Sequence, residues 1–168
     1  MKSIIAIAVL GLVALSCRAE NPGPNPLIDY PGFQKIVDTS NKERESRRLT
    51  EEVFIAMMPE KGVVVLDARS ANKYDLRHIK GAVNLPFTDF TAASLASVLP
   101  GKDVKILIYC NNNFLGSPSA FPSKNESASL NLSTYTSLKA YGYNNIYELG
   151  PLLDVNKTKI PFEGSEVK

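Results

Sequence analysis

The sequence predicts an α/β fold in a single domain, with a parallel central sheet and helices on both faces. Two short apolar runs rich in β-branched residues, at 63–66 and 106–109, have the composition of buried strands, and residues 146–149 are the third predicted buried strand. Segments with helical features separate these runs, and strands that alternate with helices are typical of parallel sheets. We therefore expect the three strands to lie side by side, with residues 106–109 inside the sheet.

The helices are predicted from their termini. Thr50 is a typical N-cap before an acidic first turn, and Pro59 and Gly62 end the helix that it starts. Gly81 permits a tight turn before a short strand that Pro86 closes. The other predicted elements are helices at 71–77, 91–99 and 132–141, a short strand at 82–85, an edge strand at 33–37 and a solvated helix face at 41–52.

Composition excludes several classes of function. The 168 residues carry a formal charge of only +2, which favours neither nucleic acid nor another strongly anionic partner. The sequence contains no dinucleotide-binding or phosphate-loop glycine motif, so no cofactor is expected. One histidine and two cysteines are too few for a common zinc site, so no metal is expected either.

Residues 1–19 have the features of a secretory signal peptide. Lys2 supplies a positive start, residues 3–14 form an apolar core too short to span a bilayer, and small residues follow. Cleavage after Ala19 would release a soluble chain, whereas cleavage before Cys17 would make that residue a lipid-anchored amino terminus. We therefore expect an exported, periplasmic protein, soluble or a lipoprotein, with a proline-rich linker at 20–32, a domain at 33–155 and a tail at 156–168.

Cys110 is the candidate nucleophile. It directly follows the apolar run at 106–109, and open α/β sheets bind ligands at the carboxyl ends of their strands. After either cleavage it would be the one free thiol, and a single thiol in an exported protein is a candidate reactive group. The alternative is a small buried apolar residue, as free cysteines commonly are. Asn111, Asn112 and Asn113 tolerate left-handed backbone, so we expect their amide groups to form an anion nest around the sulfur.

The segment 114–131 is longer than most ordered connections and is rich in serine and proline. Because the rings of Phe114 and Phe121 need burial, we expect the segment to pack over Cys110. Its outer surface is a candidate contact for a protein partner. Lys124 is its only cation, for which an ordinary surface lysine is the first expectation and a side chain folded back over Cys110 is the alternative.

Four stretches together resemble the rhodanese-like domain, the sulfurtransferase fold, in an exported bacterial type with an extended active-site loop. The similarity covers residues 49–150, and the order and spacing of the stretches are more specific than any one of them. The stretches are the strand that ends in Asp67 and Arg69, the box from Tyr74 through His78 and Gly81 to Pro86, the strand before Cys110, and the helix-to-strand junction at 138–147.

The resemblance implies that Cys110 takes a sulfane sulfur from a small donor such as thiosulfate and passes it, as a persulfide, to a thiophilic acceptor. The chemistry needs a stabilised thiolate, which loop amides and a helix N-terminus can supply. The candidate substrate-binding residues are Asn111, Asn112, Asn113 and Phe114, together with Lys124 of the long segment. The residues implied to brace the fold are Asp67, Arg69, His78 and Gly81.

Departures from the family pattern shape the functional prediction. The family's short loop carries a cation about five residues after the cysteine, where this chain has Leu115, and no arginine follows Arg77. The phosphatase relatives of this family need an arginine on a loop that fits a phosphate, so phosphatase activity is disfavoured. Only slow turnover with thiosulfate is expected. The alternatives are a catalytically weak domain that binds a protein partner, and a thiol redox role that would need a resolving cysteine from a partner.

Overall fold

The computed structural model describes residues 23–167, so the predicted signal peptide and the predicted lipid anchor at Cys17 lie outside the described residues. Within 23–167, no helix combines the length and the apolar character needed to cross a membrane. The helices are α1 (Tyr30–Arg44), α2 (Glu51–Met57), α3 (Ala71–Leu76), α4 (Ala92–Val98) and α5 (Leu130–Ala140). The strands are β1 (Arg48–Leu49), β2 (Val63–Asp67), β3 (His78–Ile79), β4 (Val83–Asn84), β5 (Lys105–Tyr109), β6 (Phe114–Leu115), β7 (Ile146–Leu149), β8 (Leu153–Asp154) and β9 (Phe162–Glu163).

Five strands form the central sheet, in the order β1, β7, β5, β2, β4. Every neighbouring pair in this sheet is parallel. The predicted α/β class is therefore confirmed, and so is the prediction that the three apolar strands lie side by side with residues 106–109 inside the sheet. The carboxyl ends of β2, β5 and β7 meet at one edge, where β5 leads directly into Cys110.

Packed layers cover both faces of the sheet. Along β5, Ile106 and Ile108 pack in the same cluster as Leu95 of α4 and residues of α5, whereas Leu107 and Tyr109 pack in the cluster that contains α2. Because β5 is buried on both faces, its sequence is continuously apolar instead of alternating. Because β5 is held on both faces and ends at Tyr109, Cys110 has a fixed position at the carboxyl end of the sheet.

The prediction of an edge strand at 33–37 is wrong, because these residues belong to α1. The Asp29 carboxylate accepts a hydrogen bond from the Gly32 N–H at 2.9 Å, and Pro31 lies in the first turn. Lys42 and Arg44 lie in the last turn, where a cation interacts favourably with the helix dipole. These terminal signals, together with packing against α5, determine the helical state.

The prediction of one solvated helix face at 41–52 is also wrong. The charged stretch includes the end of α1, a 3₁₀ turn at Glu45–Arg47, β1 and the start of α2. The Arg44 side chain is only 19% exposed, because its guanidinium donates hydrogen bonds to both carboxylate oxygens of Glu148 at 2.6 Å. By contrast, the predicted N-cap Thr50 is confirmed, since its hydroxyl accepts the Val53 N–H at 3.3 Å.

The segment 114–131 is anchored from the inside. Phe114 and Phe121 are both buried, their ring centroids are 4.7 Å apart, and Phe162 of β9 packs against both. The Arg69 guanidinium lies 4.3 Å from the Phe121 ring centroid and donates a hydrogen bond to the Ala120 carbonyl at 2.9 Å. The two phenylalanines therefore hold the segment against the domain.

Truncating Phe121 should reveal how much stability this anchoring contributes. We expect Phe121→Ala to lower the free energy of unfolding by about 3–5 kcal/mol, because it leaves a cavity in the core. The matched control is Phe33→Ala, whose ring is 52% exposed and should tolerate truncation with little loss. Urea unfolding measures both variants, and equal midpoints for the two would contradict the internal anchoring of the segment.

Candidate active site

Cys110 lies at the carboxyl end of the central strand and is 1% exposed. Its backbone N–H donates a hydrogen bond to Asn113 Oδ1 at 2.9 Å. The Asn113 amide nitrogen in turn donates to the carbonyls of Leu149, at 2.8 Å, and Pro151, at 3.2 Å. Asn113 therefore ties the end of β5 to the end of β7 and fixes the backbone that carries the sulfur.

Asn112 holds the returning part of the long segment. Its side-chain amide donates to the Lys124 carbonyl at 2.9 Å, and its side-chain oxygen accepts the Lys124 N–H at 2.8 Å. This two-bond pairing resembles a backbone ladder and brings Lys124 beside the first turn after Cys110. Asn112 therefore positions the backbone of Lys124, whose side chain is exposed, and the approach of that side chain to Cys110 stays a prediction.

The predicted left-handed nest at Asn111–Asn113 is wrong. Among the described residues, only glycines have a positive φ, and Asn111–Asn113 form one right-handed 3₁₀ turn. The turn closes with the Asn113 N–H donating to the Cys110 carbonyl at 3.2 Å. Because the Asn113 side chain captures the Cys110 N–H, the backbone satisfies its polar groups without left-handed residues.

Ser129 brings a hydroxyl to the sulfur. Its Oγ lies 3.4 Å from Cys110 Sγ, within hydrogen-bonding distance for a sulfur atom. Ser129 is the N-cap residue of α5, but its side chain makes no capping hydrogen bond, so the hydroxyl is available to the sulfur. The positive end of an 11-residue helix thus lies next to the thiol, where it favours negative charge.

A cavity of about 560 Å³ adjoins the sulfur. Of the predicted site residues, Cys110, Asn112, Asn113 and Lys124 line it, and Ser129, which the sequence analysis did not single out, lines it with them. Asn111 and Phe114 are elsewhere. Asn111 lines a different pocket, and Phe114 is buried in the aromatic cluster of the core.

Sequence reasoning did not identify the ionic side chains that α1 and the sheet bring to this cavity. Arg44, Arg48 and Glu148 all line it, and the Arg48 Nε lies 3.7 Å from a Glu148 oxygen. Glu148 is 2% exposed, although it lies in an apolar strand. A carboxylate in such a strand indicates a buried cationic partner, and that signal could have pointed to the arginines before it in the sequence.

Asp67, Arg69 and Tyr109 form a buried ionic cluster at the carboxyl ends of β2 and β5. Arg69 donates hydrogen bonds from Nε and Nη2 to the Asp67 carboxylate, and the Tyr109 hydroxyl donates to the same carboxylate. Burial and the Asp67 charge raise the pKa of Tyr109 well above its usual value, because both disfavour the phenolate. Burial opposes the charge of Arg69, but the hydrogen bonds and charge of Asp67 outweigh it and raise the Arg69 pKa.

His78 begins β3, and Gly81 lies in the turn between β3 and β4. The His78 ring stacks on Tyr74 with centroids 3.6 Å apart, and its Nδ1 lies 2.8 Å from the Tyr74 carbonyl oxygen. Gly81 has φ 78°, as its predicted tight turn requires. Neither residue lines the cavity beside Cys110.

Comparison with known proteins identifies the family of this chain. A family model described as "Rhodanese-like domain" matches residues 50–150, which is more than half of the chain. The chain belongs to the rhodanese-like family. No curated protein matches it.

Solved structures agree with the rhodanese-like fold. The crystal structure of the BH2092 protein from Bacillus halodurans is similar with 16% identity and a TM-score of 0.53, over 79% of this chain and 88% of that one. The solution structure of the rhodanese-like domain of the Alr3790 protein from Anabaena sp. is similar with 22% identity and a TM-score of 0.50, over 71% and 80% of the two chains. At these identities the similarity shows the fold alone.

The rhodanese-like match begins after the residues that bring the arginines to the cavity. Arg44 ends α1 and Arg48 begins β1, so both precede residue 50. β1 pairs with β7, which places Arg48 directly opposite Glu148 in the register. The N-terminal helix and edge strand of this chain therefore contribute charge to the rhodanese-like cavity.

The buried tyrosine gives the rhodanese-like domain a predictable response to alkaline pH. Tyr109 stays protonated in the folded state at a pH where an unfolded tyrosine, with a pKa of about 10, ionises. Its contribution to stability is complete below about pH 10 and is lost as the pH rises toward the folded-state pKa. We expect Tyr109→Phe to unfold more easily at neutral pH by about 1.5–3 kcal/mol, through the lost hydrogen bond to a charged group, and to lose less stability at alkaline pH.

Urea unfolding at pH 7 and above pH 10 measures this response. Tyr30→Phe is the matched control, because Tyr30 is 71% exposed and should leave the pH dependence unchanged. Tyr74 and Tyr135 also have raised pKa values, mainly through burial, and will retain part of the dependence in every variant. Equal alkaline losses in the wild type and Tyr109→Phe would overturn this assignment.

Proposed function

We propose that this protein is a sulfurtransferase or persulfide carrier that acts through Cys110. The observation that carries the proposal is the position of the sulfur, 3.4 Å from the Ser129 hydroxyl and at the wall of a cavity beside the central strand. Membership of the rhodanese-like family supports sulfurtransferase-type chemistry. The extended active-site loop is part of the proposal, because it supplies Lys124 and Ser129 to the cavity.

The proposed reaction has two balanced halves. The Cys110 thiolate attacks the sulfane sulfur of a donor, and with thiosulfate the S–S bond breaks and sulfite leaves with the electron pair. Cys110 is then a persulfide. A thiophilic acceptor, such as a thiolate, attacks the terminal sulfur, and Cys110 leaves with the electron pair as a thiolate. Neither half needs a cofactor or an external oxidant.

The residues around the sulfur support the role of a stabilised thiolate. Ser129 can donate its hydroxyl hydrogen to the thiolate, and the N-terminus of α5 adds a favourable field. Asn113 fixes the backbone of Cys110, so the sulfur keeps its direction during both halves of the reaction. Arg44 adds little to the stabilisation of the thiolate, because its guanidinium is paired with Glu148. We therefore expect slow turnover with the thiosulfate dianion.

Sulfur loading tests the proposal. The mature protein is incubated with thiosulfate or with inorganic polysulfide, and intact mass spectrometry detects the added sulfur atom. We expect the wild type to gain one sulfur and Cys110→Ser to gain none while keeping its unfolding midpoint. A wild-type protein that takes sulfur from neither donor would overturn the proposed function.

The role of Ser129 has its own test. We expect Ser129→Ala to load sulfur about tenfold more slowly, because a hydrogen bond to a charged group contributes about 1.5–3 kcal/mol. Ser119→Ala is the matched control, since this exposed serine lies in the same segment and, among residues 23–167, only its carbonyl is hydrogen bonded. Equal loading rates for the two variants would remove Ser129 from the proposed mechanism.

We propose further that the protein is exported to the periplasm, on the basis of residues 1–19. The mature chain should begin at Glu20 if it is soluble, or at a lipid-modified Cys17 if it is a lipoprotein. Mass analysis of the amino-terminal peptide from the native host distinguishes the two. An unprocessed Met1 terminus on the cytoplasmic protein would contradict export.

A protein partner that binds through segment 114–131 is the second candidate function. Leu115 is 50% exposed and lines the same cavity as Cys110, so an apolar contact of a partner could lie next to the sulfur. This role would survive in Cys110→Ser, whereas sulfur transfer would not. Loss of loading without loss of partner binding in that variant would therefore separate the two functions.

A further inference from the structure

The cavity beside Cys110 contains charges of both signs in equal number. Its cations are Arg44, Arg48 and Lys124, and its carboxylates are Glu45, Glu126 and Glu148. Three of these groups are engaged with one another, because Glu148 pairs with Arg44 at 2.6 Å and lies 3.7 Å from Arg48. One buried carboxylate thus serves two guanidiniums, of which the Arg44 side chain is 19% exposed and the Arg48 side chain 50% exposed.

The other three charged groups are available to a ligand. Within the described residues, the side chains of Lys124, Glu45 and Glu126 have neither an ion pair nor a side-chain hydrogen bond. Lys124 and Glu126 come from the long segment, and Glu45 follows the end of α1, so they approach the cavity from two sides. One available cation and two available carboxylates do not suit a small dianion, but they suit a ligand that carries an ammonium and a carboxylate.

Asn131 adds a neutral acceptor to the same wall. It is 6% exposed, lines the cavity, and donates its amide hydrogen to Asn113 Oδ1 at 3.3 Å. The Asn131 side-chain oxygen has no hydrogen-bond partner among the described residues. A buried acceptor without a partner favours a ligand that brings an N–H or O–H donor to this wall.

We propose that the acceptor of the Cys110 persulfide is a zwitterionic aminothiol acid, of which free cysteine is the simplest. Lys124 holds the carboxylate, and Glu126 with Glu45 holds the ammonium, so that the acceptor sulfur faces Cys110. The cavity, at about 560 Å³, is within the usual size range of small-molecule sites. This assignment rests on the proposed sulfurtransferase function and adds the class of acceptor to it.

The transfer step balances without another reactant. The acceptor thiol gives its proton to solvent, and the resulting thiolate attacks the terminal sulfur of the Cys110 persulfide. A bond forms between the acceptor sulfur and the terminal sulfur, and the bond between the terminal sulfur and Cys110 Sγ breaks. The electron pair of the broken bond stays on Cys110, which returns as a thiolate, and the acceptor leaves as its persulfide.

The experiment starts from protein loaded with one sulfur by inorganic polysulfide and checked by intact mass. Release of that sulfur is timed with cysteine, with cysteamine, which lacks the carboxylate, with 3-mercaptopropionate, which lacks the ammonium, and with 2-mercaptoethanol, which lacks both. Each rate is divided by the rate of the same thiol with a low-molecular-weight persulfide, because the four thiols differ in intrinsic reactivity. We expect cysteine to exceed each half-analogue by about fivefold, as for an ion pair with an exposed side chain.

Charge variants assign the two ends of the acceptor. Lys124→Gln should reduce the preference for cysteine over cysteamine, and the double variant Glu45→Gln with Glu126→Gln should reduce its preference over 3-mercaptopropionate. Lys61→Gln is the control, because Lys61 lies in the turn before β2, at the opposite end of the sheet from Cys110.

The outcomes separate this proposal from the function on which it rests. Loaded protein that releases sulfur to all four thiols with equal normalised rates would overturn the aminothiol assignment and leave sulfur transfer intact. A preference for cysteine that the variants do not alter would also overturn it. Protein that never loads sulfur would overturn both the proposed function and the acceptor.

Discussion

The buried contact between Asp67 and Arg69 is the constraint on which the rest of the structure depends. The carboxylate at the end of β2 is hydrogen bonded to the guanidinium of Arg69 and to the hydroxyl of Tyr109 at the end of β5. Arg69 also donates to the Ala120 carbonyl and lies over the Phe121 ring. One satisfied ionic cluster thus fixes two strand ends and the long segment together, and losing either partner would leave a costly buried charge.

Two asparagine side chains make the polar contacts that position the cysteine loop. Asn113 joins the Cys110 backbone to the end of β7, and Asn112 pairs with Lys124 on the returning segment. The segment then delivers Ser129 and the positive end of α5 to Cys110. Side-chain amides, a hydroxyl and a helix terminus therefore surround the sulfur, and residues 111–131 contain no arginine.

The charges of the cavity come from distant parts of the sequence. α1 and β1 contribute Arg44 and Arg48, β7 contributes Glu148, and the long segment contributes Lys124 and Glu126. Glu148 pairs closely with Arg44 and more distantly with Arg48, and with Glu45 and Glu126 the carboxylates of the cavity balance its three cations. A site of this composition attracts a small anion weakly, and its recognition of a ligand depends on the arrangement of charges more than on net charge.

The sequence by itself determined the sheet, since continuous apolar runs such as 63–66 and 106–109 are typical of strands buried on both faces, and it placed Cys110 at the end of the central strand. It also indicated that Phe121 must be buried. Only the tertiary structure decided that 33–37 is helical, that Asn111–Asn113 turn in a right-handed sense, and that Arg44 and Glu148 meet. The physical reason is that the burial of a strand depends on the composition of a few consecutive residues. Ion pairs and hydrogen bonds between residues far apart in sequence depend instead on which elements the completed fold brings into contact.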